Sequence, residues 1–252
     1  MLNEITLGKW EDWLPKVESQ SVRLALLDMP YGTTADDWDV IPVLEDLWAE
    51  LKRVLLPNGA AVCTANQPFT TILINSNFKW FKYCWVWDKV RPVGFQNARY
   101  KPMMQHEDIC VFSKASHVYN PQMRKRSEVK RSKCYSISKS NSISSLDNQI
   151  REYTERYPAS IIDFSNAVQT GKIHSTEKPL ELFDYLIRTY SNPGDTVLDC
   201  FAGSGTTALA AVATGRNFIC IEQDKEYWTK ATKRLELARM QGRFNFDLEG
   251  VS

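Results

Sequence analysis

The chain reads as an α/β fold with a largely parallel sheet, on three observations. Short apolar runs alternate with helix-spaced apolar patterns on both sides of a polar middle segment. One such run ends in a glycine-rich turn, Asp199-Cys-Phe-Ala-Gly-Ser-Gly-Thr-Thr207, which opens a helical pattern. The next run closes on a single carboxylate, Glu222.

The elements follow in order. Val22 to Leu27 predicts a buried strand. Ile41, Leu44, Trp48, Leu51 and Leu55 recur at helical spacing and stop at Pro57-Asn58-Gly59. Ala60 to Thr64, Tyr83 to Trp87 and Ile109 to Phe112 read as three further strands. Past residue 160 the pattern resumes. Leu180, Phe183, Ile187 and Tyr190 mark a helix, and Val197 to Asp199 a strand end. Ser204 to Thr214 predicts a helix, Phe218 to Glu222 a strand, and Tyr227, Ala231, Leu235 and Ala238 a final helix.

Composition sets the class. The 252 residues are 43% hydrophobic and 24% charged, enough for one large domain or a domain carrying an insert. Lys and Arg number 31 against 30 Asp and Glu, a net charge of +1, which excludes a histone-like, tail-driven nucleic-acid binder. No apolar run reaches a membrane span and no signal sequence is visible, so a cytoplasmic protein is expected. The six cysteines form no Cys-x-x-Cys and the three histidines lie far apart, so neither a metal site nor a disulfide framework is expected.

Residues 120–150 differ from the rest. Arg124, Lys125, Arg126, Lys130, Arg131, Lys133 and Lys139 face only Glu128 and Asp147, a local net of +5 among eight serines. Large apolar residues are too scarce there for a core. The segment reads as a loop, a weakly packed insert, or a stretch that orders on a partner.

Two constellations carry chemistry. In the loop from Asp199 to Thr207, glycines let a ligand approach main-chain N–H groups at a helix N-terminus. It is neither a Gly-x-Gly-x-x-Gly nor a phosphate-cradling loop. Glu222, about 20 residues on, stands where a carboxylate holds ribose hydroxyls. A nucleoside cofactor less anionic than a pyrophosphate fits, and S-adenosyl-L-methionine has the parts: an adenosine, a carboxylate, and an ammonium for an acid such as Asp199. A structural glycine-rich turn is the competing reading. The second constellation is Asp28-Met29-Pro30-Tyr31, at the C-terminal edge of the first strong strand. A carboxylate and a carbonyl can accept both N–H bonds of a base's amino group and localise its lone pair, while an aromatic ring stacks on the base. Taken alone, four such residues are equally a plain turn.

Together these residues resemble the amino-group DNA methyltransferases, which make N6-methyladenine or N4-methylcytosine. Asp28-Met-Pro-Tyr31 is similar to the family's Asp-Pro-Pro-Tyr motif, with Met29 in place of the first proline. Asp199 to Thr207 resembles its cofactor loop, and Ile219-Cys-Ile-Glu222 its ribose-binding motif. His174-Ser-Thr-Glu-Lys-Pro179 resembles the family's His-Pro-Thr-Gln-Lys-Pro segment, with Ser175 and Glu177 as departures. Leu56-Pro-Asn-Gly59, Trp85-Val-Trp-Asp-Lys89 and His106-Glu-Asp-Ile109 match further recurrent segments.

The motif order is that of the family's β group. The resemblance implies a Rossmann-like, circularly permuted S-adenosyl-L-methionine-dependent fold in which Asp28 and the glycine-rich loop lie at adjacent strand ends. It divides the chain into a catalytic half (1–114), a target-recognition insert (115–170) and a cofactor half (171–252). It implies catalysis by Asp28, Met29, Pro30 and Tyr31, and cofactor contacts from Asp199, Phe201, Gly203, Ser204, Gly205, Thr206, Thr207, Glu222, Thr176 and Lys178. Arg124, Lys125, Arg126, Lys130, Arg131 and Lys133 are the expected contacts to double-stranded DNA. Adenine N6 is the expected target because Asp opens the catalytic motif. Cytosine N4, an RNA substrate and a non-catalytic DNA-binding module are the alternatives. Family members of this group are often homodimers.

Overall fold

A computed structural model describes residues 1–32, 39–137, 143–165 and 177–249, with the side chains of 133–149 and 241–249 excepted. The chain divides into two compact units, Met1–Asn120 with Ser160–Ser252, and Pro121–Ala159. The expected insert was wider at both ends.

The first unit holds β1 (Glu4–Leu7), α1 (Trp10–Trp13), β2 (Val22–Leu27), α2 (Leu44–Val54), β3 (Leu55–Ala65), α3 (Phe69–Ser76), β4 (Phe81–Val93) and β5 (Met104–Phe112). The second contributes β6 (Arg124–Ile137) and β7 (Ile143–Arg156). The first resumes with β8 (Ile161–Asp163), α4 (Leu180–Tyr190), β9 (Thr196–Asp199), α5 (Thr206–Ala213), β10 (Asn217–Glu222) and α6 (Lys225–Glu249). Its eight strands form one sheet in the order β1-β10-β9-β2-β3-β5-β4-β8. The pairings are parallel except where β5 runs antiparallel to β3 and β4.

Period-two alternation along the strands builds a core on each face. Leu24, Leu26 and Val62 turn to one side, where Leu182, Leu186, Ala208 and Leu235 bring α4, α5 and α6 against the sheet. Ala25, Leu27, Ala61 and Cys63 turn to the other, against Trp10, Trp48, Leu51 and Phe69 from α1, α2 and α3. Each fully buried leucine, valine or phenylalanine among them contributes about 1.5–3 kcal/mol of transfer free energy. In α2, Glu45 and Asp46 occupy the first turn and Lys52 and Arg53 the last, the polarity the helix dipole favours.

Sequence patterning locates Val22–Leu27 to the residue. It finds α2, with the helix starting at Leu44 instead of Ile41, and it finds β3, β4, β5, α4, α5, β10 and α6. It misses β1 and β8, edge strands of four and three residues that are too short to show a period. It also misses α3, whose Thr-Thr-Ile-Leu-Ile run is β-branched at four of its five positions.

The second unit is a long antiparallel hairpin, interrupted by register shifts, in place of a loop. Among its described side chains none is buried, as the shortage of apolar residues requires. Among the described residues, no helix is long and apolar enough to cross a membrane, and no cluster of His, Cys, Asp or Glu could hold a metal ion.

Candidate active site

Parallel strands deliver their C-terminal ends to one edge of the sheet, and three of those ends meet here. β2 pairs with β9 through Leu24↔Val197 and Ala25↔Leu198, so Asp28 and Asp199 leave neighbouring strands. β10 lies beyond β9 and ends at Glu222. A cavity of about 400 Å³ opens at these ends within the first unit. It is lined by Asp28, Met29, Pro30 and Tyr31 on one side and by Asp199 to Ser204, Thr206 and Glu222 on the other. Most of the sequence-predicted catalytic and cofactor residues, Lys178 included, therefore line one cavity. Gly205 and Thr207 are not on its wall.

The Asp28 corner is a chain of alternating charges. The Asp28 Oδ1 atom accepts from the Thr64 hydroxyl at 2.5 Å and lies 3.0 Å from the Tyr31 hydroxyl. The Lys178 Nζ atom stands 2.9 Å from the same oxygen and 3.4 Å from Glu107 Oε2. Glu107 Oε1 in turn meets Lys89 Nζ at 2.6 Å. Lys89, Glu107 and Lys178 are all buried, so their pairing is what makes their burial affordable. Burial acts to lower the Lys178 value, but the Asp28 and Glu107 carboxylates outweigh it and hold the ammonium protonated. Burial, reinforced by the same two carboxylates, pushes the Tyr31 phenol well up. Tyr31 is fixed as a platform. Its ring stacks on Phe69 with centroids 5.4 Å apart, and Lys178 Nζ lies 5.4 Å from the ring centroid. The turn beneath it is tied by Asp39, whose Oδ1 accepts the Tyr31 and Gly32 N–H groups at 2.8 and 2.9 Å.

The Asp199 corner is built from backbone and hydroxyls. Asp199 Oδ1 accepts the Phe201 N–H at 2.9 Å, and Oδ2 accepts the Thr207 hydroxyl at 2.5 Å. Glu222 takes the Gly203 N–H at 2.6 Å on Oε2 and the Asp224 N–H at 2.7 Å on Oε1. Burial pushes the Asp199 carboxyl up to about 7, against the pull of these donors and with the Asp28 and Glu222 charges adding to the rise. Burial likewise raises Glu222. Among the described residues neither acid has a basic partner. Gly205 starts α5 at φ +79, and a Cβ there would meet Ala231 Cβ at 3.0 Å, so glycine alone fits both conformation and packing.

Other expected residues fall elsewhere. Lys178 points its ammonium at Asp28 and Glu107, not at Asp199 or Glu222. Thr176 and His174 lie outside the described residues. In the second unit, Arg131 pairs with Glu152 at 2.7 Å in solvent, and Arg126 donates to the Glu155 carbonyl. Lys125 and Lys130 are exposed and Arg124 is half-buried, while the Lys133 side chain is not described. Sequence reasoning missed Thr64, Lys89, Glu107 and Asp39. Lys89 and Glu107 stood inside the Trp-Val-Trp-Asp-Lys and His-Glu-Asp-Ile segments. The available signal was a charged residue in step with buried apolar positions: Lys89 continues the alternation of Trp85 and Trp87, and Glu107 that of Ile109 and Val111. Gly8 and Trp10, also on the cavity wall, follow β1 and were missed with it.

The chain is similar to known proteins. The DNA adenine methyltransferase YhdJ of Escherichia coli (strain K12) is 29% identical over 244 residues, covering 89% of this chain and 80% of that one. The crystal structure of the M1.HpyAVI–SAM complex superposes with a TM-score of 0.63 at 23% identity, over 92% of this chain and 98% of that one. The PvuII DNA methyltransferase, which is cytosine-N4-specific, gives 0.62 at 17% identity, over 91% and 86%. Both structural likenesses speak to the fold. A family model described as DNA methylase, of the N6/N4 methyltransferases, matches residues 22–233, from the start of β2 into α6. The protein belongs to that N6/N4 DNA methylase family.

Proposed function

We propose that the protein transfers a methyl group from S-adenosyl-L-methionine to the N6 amino group of an adenine flipped out of duplex DNA. The observation that carries this reading is the Asp28 corner. An ammonium nitrogen already sits 2.9 Å from Asp28 Oδ1 and 5.4 Å from the centre of the Tyr31 ring. A target amino group needs the same two contacts: a carboxylate accepting N–H and an aromatic face beside it.

The residues of the other corner fit the cofactor. Two buried carboxylates with raised values and no basic partner suit a cation, and Asp199 would take the ammonium of the methionine part. Glu222 would accept the ribose hydroxyls on its remaining lone pairs, beside the backbone of Gly203, Ser204 and Gly205. Phe201, Thr206 and Thr207 shape the loop, Thr207 by holding Asp199. When bound, S-adenosyl-L-methionine supplies a methyl group activated by a sulfonium.

The chain's task is then positioning and electrostatics. Asp28 and the Met29 carbonyl hold the two N–H bonds and favour a pyramidal nitrogen whose lone pair faces the methyl. Pro30 restrains Met29 to extended backbone, and Tyr31 carries the base. The nitrogen loses its proton to solvent after methylation, so no general base is required beforehand. Lys178 must leave Asp28 as the base enters, and Glu107, already 3.4 Å from it, is the receiving partner. Lys125, Lys130, Lys133 and Arg124, Arg126, Arg131 on the hairpin would contact DNA phosphates, with binding that weakens steeply in salt.

Adenine is preferred over cytosine N4 because Asp opens the motif and because the relative YhdJ is an adenine enzyme by name. The test is nucleoside mass spectrometry of duplex DNA, single-stranded RNA and free adenine after incubation with labelled S-adenosyl-L-methionine. N6-methyldeoxyadenosine in the duplex sample is expected. N4-methyldeoxycytidine, label only in RNA, or no label despite cofactor binding would each replace the proposal with a named alternative.

A further inference from the structure

We infer that the tip of the β4–β5 hairpin, residues 90–103, is a second DNA-docking element, separate from the basic hairpin of the second unit. The inference rests on the duplex-DNA reading above.

The sequence of the tip is Val-Arg-Pro-Val-Gly-Phe-Gln-Asn-Ala-Arg-Tyr-Lys-Pro-Met, with three cations and no acid. Arg91, Arg99 and Lys101 are exposed, and none makes an ion pair among the described residues. Between them stand Phe95 and Tyr100, 79% and 88% exposed. A hairpin has no folding reason to hold two large aromatic rings this exposed to water. Cations interleaved with free aromatic faces match a phosphate backbone with bases or sugars beside it.

The local backbone is built to aim this tip. The β4–β5 register shifts between Asp88 and Val93, and Val90 takes φ +66, a conformation a β-branched residue rarely adopts. Asp88 holds that turn: its Oδ1 accepts the Val90 N–H at 2.7 Å and the Gln105 amide at 3.1 Å. The result sends neighbouring residues opposite ways. Lys89 turns inward to Glu107, and Val90 is 52% exposed. Val93 lines the cavity that holds Asp28, so the tip begins at the mouth through which a base must enter. Strain concentrated beside a cavity is what a positioning element would show.

The tip would therefore grip the strand next to the target: Arg91, Arg99 and Lys101 on phosphates, Phe95 and Tyr100 against the bases or sugars exposed by flipping. The experiment titrates sheared genomic duplex DNA at several salt concentrations against four proteins. They are the parent, Arg91→Ala/Arg99→Ala/Lys101→Ala, Phe95→Ala/Tyr100→Ala, and the second-unit variant Lys125→Ala/Lys130→Ala/Arg131→Ala. Calorimetry with S-adenosyl-L-methionine and thermal melting accompany each, and neither is expected to change, because every substituted side chain is exposed. The triple tip variant should lower the slope of log K against log salt by about three phosphate contacts, each worth roughly 0.9 of slope. The aromatic pair should keep the parental slope and lose roughly fivefold or more in affinity. Parental slope and affinity in both tip variants, with loss in the second-unit variant, overturns this inference and leaves the functional reading standing. A parent that binds no duplex DNA overturns that reading and the tip with it. Binding of single-stranded RNA that depends on the tip, with no effect on duplex DNA, overturns it in favour of an RNA surface.

Discussion

Asp28 and Asp199 leave adjacent strands of one sheet and face one cavity, yet they are handled in opposite ways. Asp28 has a lysine ammonium at 2.9 Å, inside a run of alternating charges that continues through Glu107 to Lys89. Among the described residues Asp199 has an amide and a hydroxyl but no cation, and burial pushes it up to about 7. One acid is supplied with a cation by the protein, and the other is left short of one. The difference teaches what each corner is prepared for. The Asp28 corner has a nitrogen donor in the seat that a target nitrogen would take. The Asp199 corner has an electrostatic deficit that a cationic small molecule removes on binding.

The largest expected effect falls on the first corner. Asp28→Asn should lower single-turnover methyl transfer by roughly 10²–10³-fold, the usual cost of losing one preorganised polar contact to the reacting group. Cofactor affinity should stay near the parental value, measured by calorimetry. Equal loss of binding and transfer would merge the two corners into one.

The second corner should respond to pH. Cofactor affinity is expected to rise about tenfold between pH 6 and 8, as Asp199 ionises and can meet an ammonium, and Asp199→Asn should flatten that rise. Without ligand the sign reverses. The folded protein holds a proton that an unfolded carboxyl, at 3.8, would release, so this group favours folding most below that value. The contribution is lost as pH climbs to about 7. Melting temperatures with and without S-adenosyl-L-methionine across that range check both limbs.

A smaller effect distinguishes Lys178 from the cofactor contacts. Lys178 Nζ stands 2.9 Å from Asp28 and 3.4 Å from Glu107, so Lys178→Gln should change kcat/KM for duplex DNA by roughly tenfold, the size of one charge-assisted contact at about 1.5 kcal/mol. Cofactor affinity should hold. A weakened cofactor with unchanged kcat/KM for DNA would return Lys178 to the second corner.

How much of this was legible in the sequence follows the same division. Val22–Leu27, the Asp199–Thr207 loop and Glu222 were readable because short-range chemistry fixes them: an apolar run, positive-φ glycines, a carboxylate at a strand end. Adjacent strand ends for Asp28 and Asp199 followed from the family resemblance, and β2–β9 pairing gives that arrangement. What stayed hidden depends on long-range contact. Thr64 looks like any β3 residue until β3 lies beside β2, and Lys89 and Glu107 become partners only when β4 pairs with β5. Lys178 was read as a cofactor contact from its neighbours in sequence, while its long stem carries the ammonium to Asp28. The basic segment gave its charge but not its hairpin, because alternation is weak where both faces are wet.

One measurement tests the division of labour directly: S-adenosyl-L-methionine titrated into Asp28→Asn and Asp199→Asn at pH 8, with methyl transfer to duplex DNA measured on the same samples. The predicted result is cofactor binding retained and transfer lost in the first, and cofactor binding itself weakened in the second. Parental transfer by Asp28→Asn with cofactor bound would contradict the account.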